Sequence, residues 1–174
     1  TQNKFNFIKN YFSILNAQRC KEIILLYYIM KYNIIVAHDL DNGIGKNNNL
    51  PWDFVEDLRR FSKLTRGNGN NAIIMGKNTW KSLPRKPLPK RDNLILSTSV
   101  QLNVNNQKNE CVKTFTNIKM IDEFCEKQNY DEVWIIGGSQ IYEQFINHHK
   151  VKQIYVTLIH ETYDCDTKFP NISY

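Results

Sequence analysis

Short apolar runs alternate along this chain with longer stretches in which apolar residues return every three or four positions. Residues 33–38, NIIVAH, are β-branched and apolar enough for a buried strand. Similar runs at 72–75, 93–96, 112–115, 133–136 and 153–159 predict five more. Helical spacing places Phe54, Leu58, Phe61 and Leu64 on one side of a helix opening at Asp53, its expected N-cap. Ile118, Ile121 and Phe124 do the same over 117–127, as do Ile141, Tyr142 and Phe145 in a helix capped by Ser139. A short helix capped by Asn78 or Thr79 follows the 72–75 strand. Strands alternating with helices predict an α/β fold: a central, mainly parallel twisted sheet with right-handed crossovers and helices on both faces.

Two regions fall outside this rhythm. Residues 101–110 are polar and Asn-rich, which predicts surface loop. Residues 1–30 contain Phe5, Ile8, Phe12 and Leu15 at loose helical spacing, then an apolar run at 23–30. That run is well short of the ~20 residues that span a bilayer, and no small-residue cleavage site follows it. The expected organisation is an N-terminal extension over 1–30, with no role assigned, and one domain over 31–174.

Composition narrows the chemistry only slightly. The formal charge of +6 suits an anionic ligand. No dense Lys/Arg run is interleaved with aromatics, so nucleic acid is not an expected partner, nor is a membrane. Cys20, Cys111, Cys125 and Cys165 are scattered, and His148 and His149 are adjacent and diverge on a helix, so no metal site is expected. Reduced thiols imply a cytoplasmic setting.

Candidate chemistry starts at Asp57, three residues after Phe54 and four before Phe61, on the apolar side of its helix. A carboxylate buried there needs a partner, and a ligand offering N–H donors is one. A first-turn acid favoured by the helix dipole is the plain alternative. Glu56, Arg59 and Arg60 are free to point to water. Three strand ends, Gly76-Lys77, Ser97-Thr98-Ser99 and Gly137-Gly138-Ser139, carry small or hydroxyl residues. In parallel sheets ligands bind at that edge, and free backbone N–H groups at helix starts attract anions. Together they predict a large ligand with separated phosphates. Gly43-Ile44-Gly45 has the first glycines of a dinucleotide fingerprint, but position 48 is Asn and no helix opens there, so a Rossmann reading fails.

The segments VAHDLDNGIGKNNNLPW, DLRRF, IIMGKNTWKSLP, PLPKRDNLILS, VWIIGGSQIYEQF and DTKFP occur in the order seen in dihydrofolate reductases, and the chain resembles that family from about residue 31 to 170. The resemblance implies hydride transfer from NADPH to dihydrofolate. It assigns Asp57 to the pterin's amidine edge, Trp52 to a water near the pterin, Leu50 to a loop closing over nicotinamide, and Thr157 to support of the acid. Val36, Leu58, Phe61, Leu83 and Ile136 line the substrate cleft, and Arg91 clamps the glutamate carboxylate. For the cofactor it implies Ala37, the loop residues Gly43, Ile44, Gly45, Lys46 and Asn49, and the phosphate-facing Lys77, Asn78 and Thr79. Leu96, Ser97, Thr98, Ser99, Ile136, Gly137, Gly138, Ser139, Gln140, Ile141 and Tyr142 complete that site, and Lys77 favours NADPH over NADH.

The sequence departs from the family pattern at both ends: residues 1–30 precede it, and a final antiparallel hairpin is missing. The expectation is a C-terminally truncated domain whose 153–159 strand forms an exposed edge. A chain of this kind also allows a covalent or separate thymidylate synthase partner. Two alternatives to the reductase are a non-catalytic NADPH- or folate-binding fragment and a pyrimidine reductase of riboflavin synthesis. Asp57 and Arg91 together argue against the latter, because they suit a pteridine at one end and a carboxylate at the other.

Overall fold

The computed structural model describes residues 31–98 and 111–171. The elements in chain order are β1 (Tyr32–His38), β2 (Gly43–Gly45), α1 (Val55–Arg66), β3 (Ala72–Gly76), α2 (Lys77–Ser82) and β4 (Asp92–Leu96). They continue as β5 (Val112–Phe115), α3 (Ile118–Gln128), β6 (Val133–Ile135), α4 (Ser139–Phe145), β7 (Val151–Leu158) and β8 (Thr167–Lys168). Ser99 and the extension over 1–30 lie outside the described residues.

Six strands form one sheet in the order β5-β4-β3-β6-β1-β7, and every pairing in it is parallel. The expected α/β architecture is therefore present. Strands buried on both faces read as continuous apolar runs, and Ile73, Ile74, Leu94, Ile95, Val133 and Ile135 are wholly buried. The pleat divides their side chains. Ile34, Val36, Ile74, Leu94 and Ile135 pack with Ile121, Tyr142 and Phe145 from α3 and α4. Ile35, Ile73, Met75, Ile95 and Trp134 pack with Phe61 and Leu64 from α1 and with Leu83 beyond α2.

Helix starts differ from expectation. Phe54, not Asp53, is the N-cap of α1, and Gly76 and Gly138 occupy that position in α2 and α4, none with a side-chain cap bond. Asn78 and Thr79 lie inside α2. Ser139 is the first residue of α4, and its hydroxyl instead donates to Lys168 O at 2.7 Å. Asn117 alone caps as its residue type suggests, accepting from Met120 N at 3.0 Å.

β7 ends the sheet among the described residues. Its side chains are only partly covered, with Val156 36% and Leu158 44% exposed. A second, two-stranded antiparallel sheet pairs β2 with β8 where the sequence pattern suggests only loop. It fastens the 39–49 loop to the far end of the chain. Asp39, wholly buried, is the hub: its carboxylate accepts from the backbone N–H groups of Gly43 at 2.6 Å, Asp41 at 2.9 Å and Tyr163 at 2.9 Å. Burial alone would push this acid up, but the three backbone donors outweigh it and hold the carboxyl below its ordinary range. Asn47 N adds a bond to Asp166 Oδ2 at 2.7 Å, and Lys46 pairs with Asp164 at 2.5 Å.

Candidate functional site

Because β4, β3 and β6 are parallel neighbours, their C-terminal ends lie side by side. All three expected glycine and hydroxyl segments therefore reach one edge. Gly76 N donates to Gly137 O at 2.8 Å, tying the end of β3 to the turn after β6. The packing is tight at Gly76 and ordinary at Gly138. A Cβ on Gly76 would lie 3.0 Å from Ile141 Cγ1, and one on Gly138 would lie 3.4 Å from Thr79 Oγ1. Gly137 has a φ of +101° and a cis peptide bond to Gly138. The starts of α2 and α4 thus abut, with Lys77, Asn78 and Thr79 on one side and Ser139, Gln140 and Ile141 on the other. Both helices are short, six and seven residues, so free backbone N–H groups contribute more here than any macrodipole. Leu96 is buried at the end of β4, followed by half-buried Ser97 and exposed Thr98. These donors and the cation of Lys77 suit a phosphate-bearing cofactor.

Two cavities flank this edge. One of about 300 Å³ is lined by Asn48, Asn49, Asn78, Lys81 and Ser82, between the loop and α2. A larger one of about 400 Å³ is lined by Leu40, Asp41, Asn42, Lys168, Phe169 and Asn171 beside the small sheet, and holds none of the expected site residues. The smaller one opens where the loop meets the cofactor-side helix.

Asp57 is half-buried on α1, not shut away as expected, because Phe54 and Leu58 beside it are 39% and 48% exposed. After burial, its charge is what raises the Tyr142 phenol. Tyr142, reaching through the sheet from α4, donates its hydroxyl to Ile35 O at 2.8 Å. Tyr142 in turn packs against the turn at Gly137.

Around it, Phe61, Leu83 and Ile136 pack on the α1 side of the core. Leu50 is 51% exposed. Trp52 is buried, stacked obliquely on Tyr163 at 5.3 Å, and among the described residues its Nε1 has no hydrogen-bond partner. A buried N–H without a partner is a place for a bridging water or a ligand atom. Ala37, half-buried, lies opposite Thr157 in the β1–β7 pairing. Val36 is buried on the α4 side of the sheet, away from Phe61. Its neighbour Ile35 is the β1 side chain on the α1 face, which strict strand alternation would have indicated.

Arg91 is 5% exposed. Its Nε donates to Pro89 O at 3.0 Å and its Nη1 to Thr65 Oγ1. Among the described residues no carboxylate is paired with it. Burial, with the charge of Arg66 adding to it, pushes the guanidinium down to about 10. Such a group gains from an incoming carboxylate. Thr65, a helix residue that the apolar pattern does not mark, supports it. Arg60 was also missed: it turns inward, and Nη1 donates to Thr157 Oγ1 at 2.8 Å.

Parallel strand ends, two abutting helix starts lined by glycine, a half-buried acid on α1 and a buried arginine before β4 describe an α/β protein with the parts of a ligand site. Comparison with known proteins narrows the class. The family model for dihydrofolate reductase matches residues 31–174, and the chain belongs to that family. It is 34% identical over 150 residues to dihydrofolate reductase of Aedes albopictus, covering 82% of this chain and 81% of that protein. A viral dihydrofolate reductase of Saimiriine herpesvirus 2 is 36% identical over 151 residues, 83% of this chain and 70% of its own length. A bifunctional dihydrofolate reductase-thymidylate synthase of Arabidopsis thaliana is 32% identical over 149 residues, 81% of this chain and 26% of its own.

Proposed function

We propose that this chain reduces 7,8-dihydrofolate to tetrahydrofolate with NADPH, in the cytoplasm, as part of one-carbon and thymidylate metabolism. The observation that carries the reading is Asp57, an acid half-buried on α1 whose charge is felt at Tyr142, which itself packs against the Gly137 turn. A carboxylate facing a planar fork of N–H donors makes a charge-assisted bidentate pair, which orients the pterin. Thr157 supports that acid, and the Trp52 N–H holds a water through which a proton reaches the pterin ring. Val36, Ala37 and Ile136 lie along β1 and β6, the strands that floor the cleft.

Leu58, Phe61 and Leu83 pack against the substrate's aromatic linker. Arg91, with Arg66 beside it, takes the glutamate carboxylate. On the cofactor side Lys77, Asn78, Thr79, Ser97, Thr98, Ser99 and the backbone from Gly137 to Tyr142 hold phosphates, with Lys77 favouring the ribose 2′-phosphate of NADPH. The bound cofactor supplies the hydride. The loop residues Gly43 to Lys46, Asn49 and Leu50 close over the nicotinamide end and keep water out. The bifunctional plant relatives make thymidylate synthase, covalent or separate, a further partner to propose.

NADPH oxidation dependent on dihydrofolate tests the reading. Asp57→Asn is expected to lower turnover by at least ~100-fold with NADPH affinity little changed. Turnover close to that of the unmodified chain would remove Asp57 from the chemistry. NADPH binding without turnover in the unmodified chain would favour a binding protein instead.

A further inference from the structure

Arg60 follows Asp57 by three residues on α1, a spacing that makes two side chains neighbours on one helix face. Its guanidinium does not run to solvent. Nη1 donates to Thr157 Oγ1 at 2.8 Å, tying the first helix to β7. Arg59 shows the ordinary alternative: it is exposed and leans 4.0 Å away on Glu56. Among the described residues Arg60 has no carboxylate within ion-pair distance. A long cation ordered on a neutral hydroxyl, and not on an acid, points to the orientation of that hydroxyl as its role.

The donor chemistry gives that orientation a direction. A guanidinium only donates, so the Thr157 oxygen must accept on this side and its own hydrogen turns elsewhere. On the same face of β7, the Tyr155 hydroxyl donates to Gln153 Oε1 at 2.8 Å. On Arg60's own helix the acid at i−3, Asp57, is half-buried, whereas Glu56 at i−4 is exposed and leans toward Arg59 at 4.0 Å.

We propose that Arg60 is a positioning residue of the reductase site: it fixes the Thr157 hydroxyl as a donor toward the Asp57 carboxylate, and so orients the acid that grips the substrate's donor edge. The inference rests on the roles given above to Asp57 and Thr157.

A double-mutant cycle tests it, with kcat, KM for dihydrofolate and NADPH affinity measured for Arg60→Gln, Thr157→Val and the pair. Arg60→Gln is expected to lower kcat about tenfold, the size of one charged hydrogen bond. In the Thr157→Val background the same change should cost less than ~2-fold, because the hydroxyl it acts through is gone. Arg60→Lys, which keeps a donor and a charge, should recover most of the loss. NADPH affinity within ~2-fold throughout would show that the scaffold is intact. Equal losses in both backgrounds, or no loss in Arg60→Gln, would overturn the proposal, as would failure of lysine to rescue. An active Asp57→Asn variant would instead sink the underlying reading of the site, whereas an inactive one beside additive Arg60 and Thr157 effects sinks only this inference.

Discussion

Gly137 and Tyr142 are fitted to each other so closely that a single methyl group would separate them. A Cβ at Gly137 would stand 2.8 Å from Tyr142 Cε2 and 2.9 Å from its hydroxyl oxygen. That oxygen holds Ile35 O, and burial followed by the Asp57 carboxylate raises its phenol. The glycine, the tyrosine, the first strand and the acid are therefore linked. Gly137→Ala must move the ring and also place alanine at a φ of +101°. A loss of at least ~2 kcal/mol of stability is expected, together with weaker NADPH binding. Thermal denaturation and cofactor titration check both, and an unchanged midpoint would show that the junction yields.

Arg91 is buried with hydrogen bonds but no paired acid among the described residues, so its charge is reserved for something else. Arg91→Leu is expected to weaken dihydrofolate by ~100-fold while leaving a pterin that lacks the glutamate within ~3-fold. Equal losses on both ligands would contradict a carboxylate clamp. The sign of its pH dependence follows from burial. With the guanidinium pushed down to about 10, the charge is complete at neutral pH and is lost as pH rises through that value. Dihydrofolate affinity should be flat through about pH 9 and then fall in the unmodified chain. It should not fall in Arg91→Leu.

The sheet could be read from sequence because its strands are unbroken apolar runs, and all six large-sheet strands fall where those runs are. The parallel order followed from strands alternating with helices. What failed was local. Asp53, Asn78 and Ser139 are good capping residues by type, yet Phe54, Gly76 and Gly138 hold the N-cap positions, the two glycines because α2 and α4 open directly from the turns that leave β3 and β6. The small sheet was invisible because β2 has three residues and β8 two, too few for any period.

At the candidate site, the meeting of the glycine and hydroxyl segments at one sheet edge was legible, but the depth of Asp57 was not. Helical spacing assumes that neighbouring apolar side chains are covered, and Phe54 and Leu58 are half in water. Arg60 was hidden for the opposite reason. A charged residue between Arg59 and Phe61 reads as solvated, and only the position of β7 reveals an inward partner.

Asp39 carries the last prediction. It ties the 39–49 loop to the 163–168 segment, accepting from Asp41 and Gly43 within the loop and from Tyr163 across it, while the surface pair Lys46–Asp164 is exposed on the acid's side by 92% and adds little. Asp39→Asn keeps the size but replaces one accepting oxygen with an amide that cannot accept, so a loss of ~1–3 kcal/mol is expected. Because the folded state holds this carboxyl below its ordinary range, its contribution is complete above the unfolded value of about 3.9 and is lost as pH falls below it. The stability gap between the unmodified chain and Asp39→Asn should therefore be constant from pH 5 to 8 and narrow below about pH 4. Lys46→Ala should show almost no gap at any pH. A gap that narrowed near pH 6 would assign the effect to a histidine, such as His148, which burial holds below its usual value, and would remove Asp39 as the anchor of the loop.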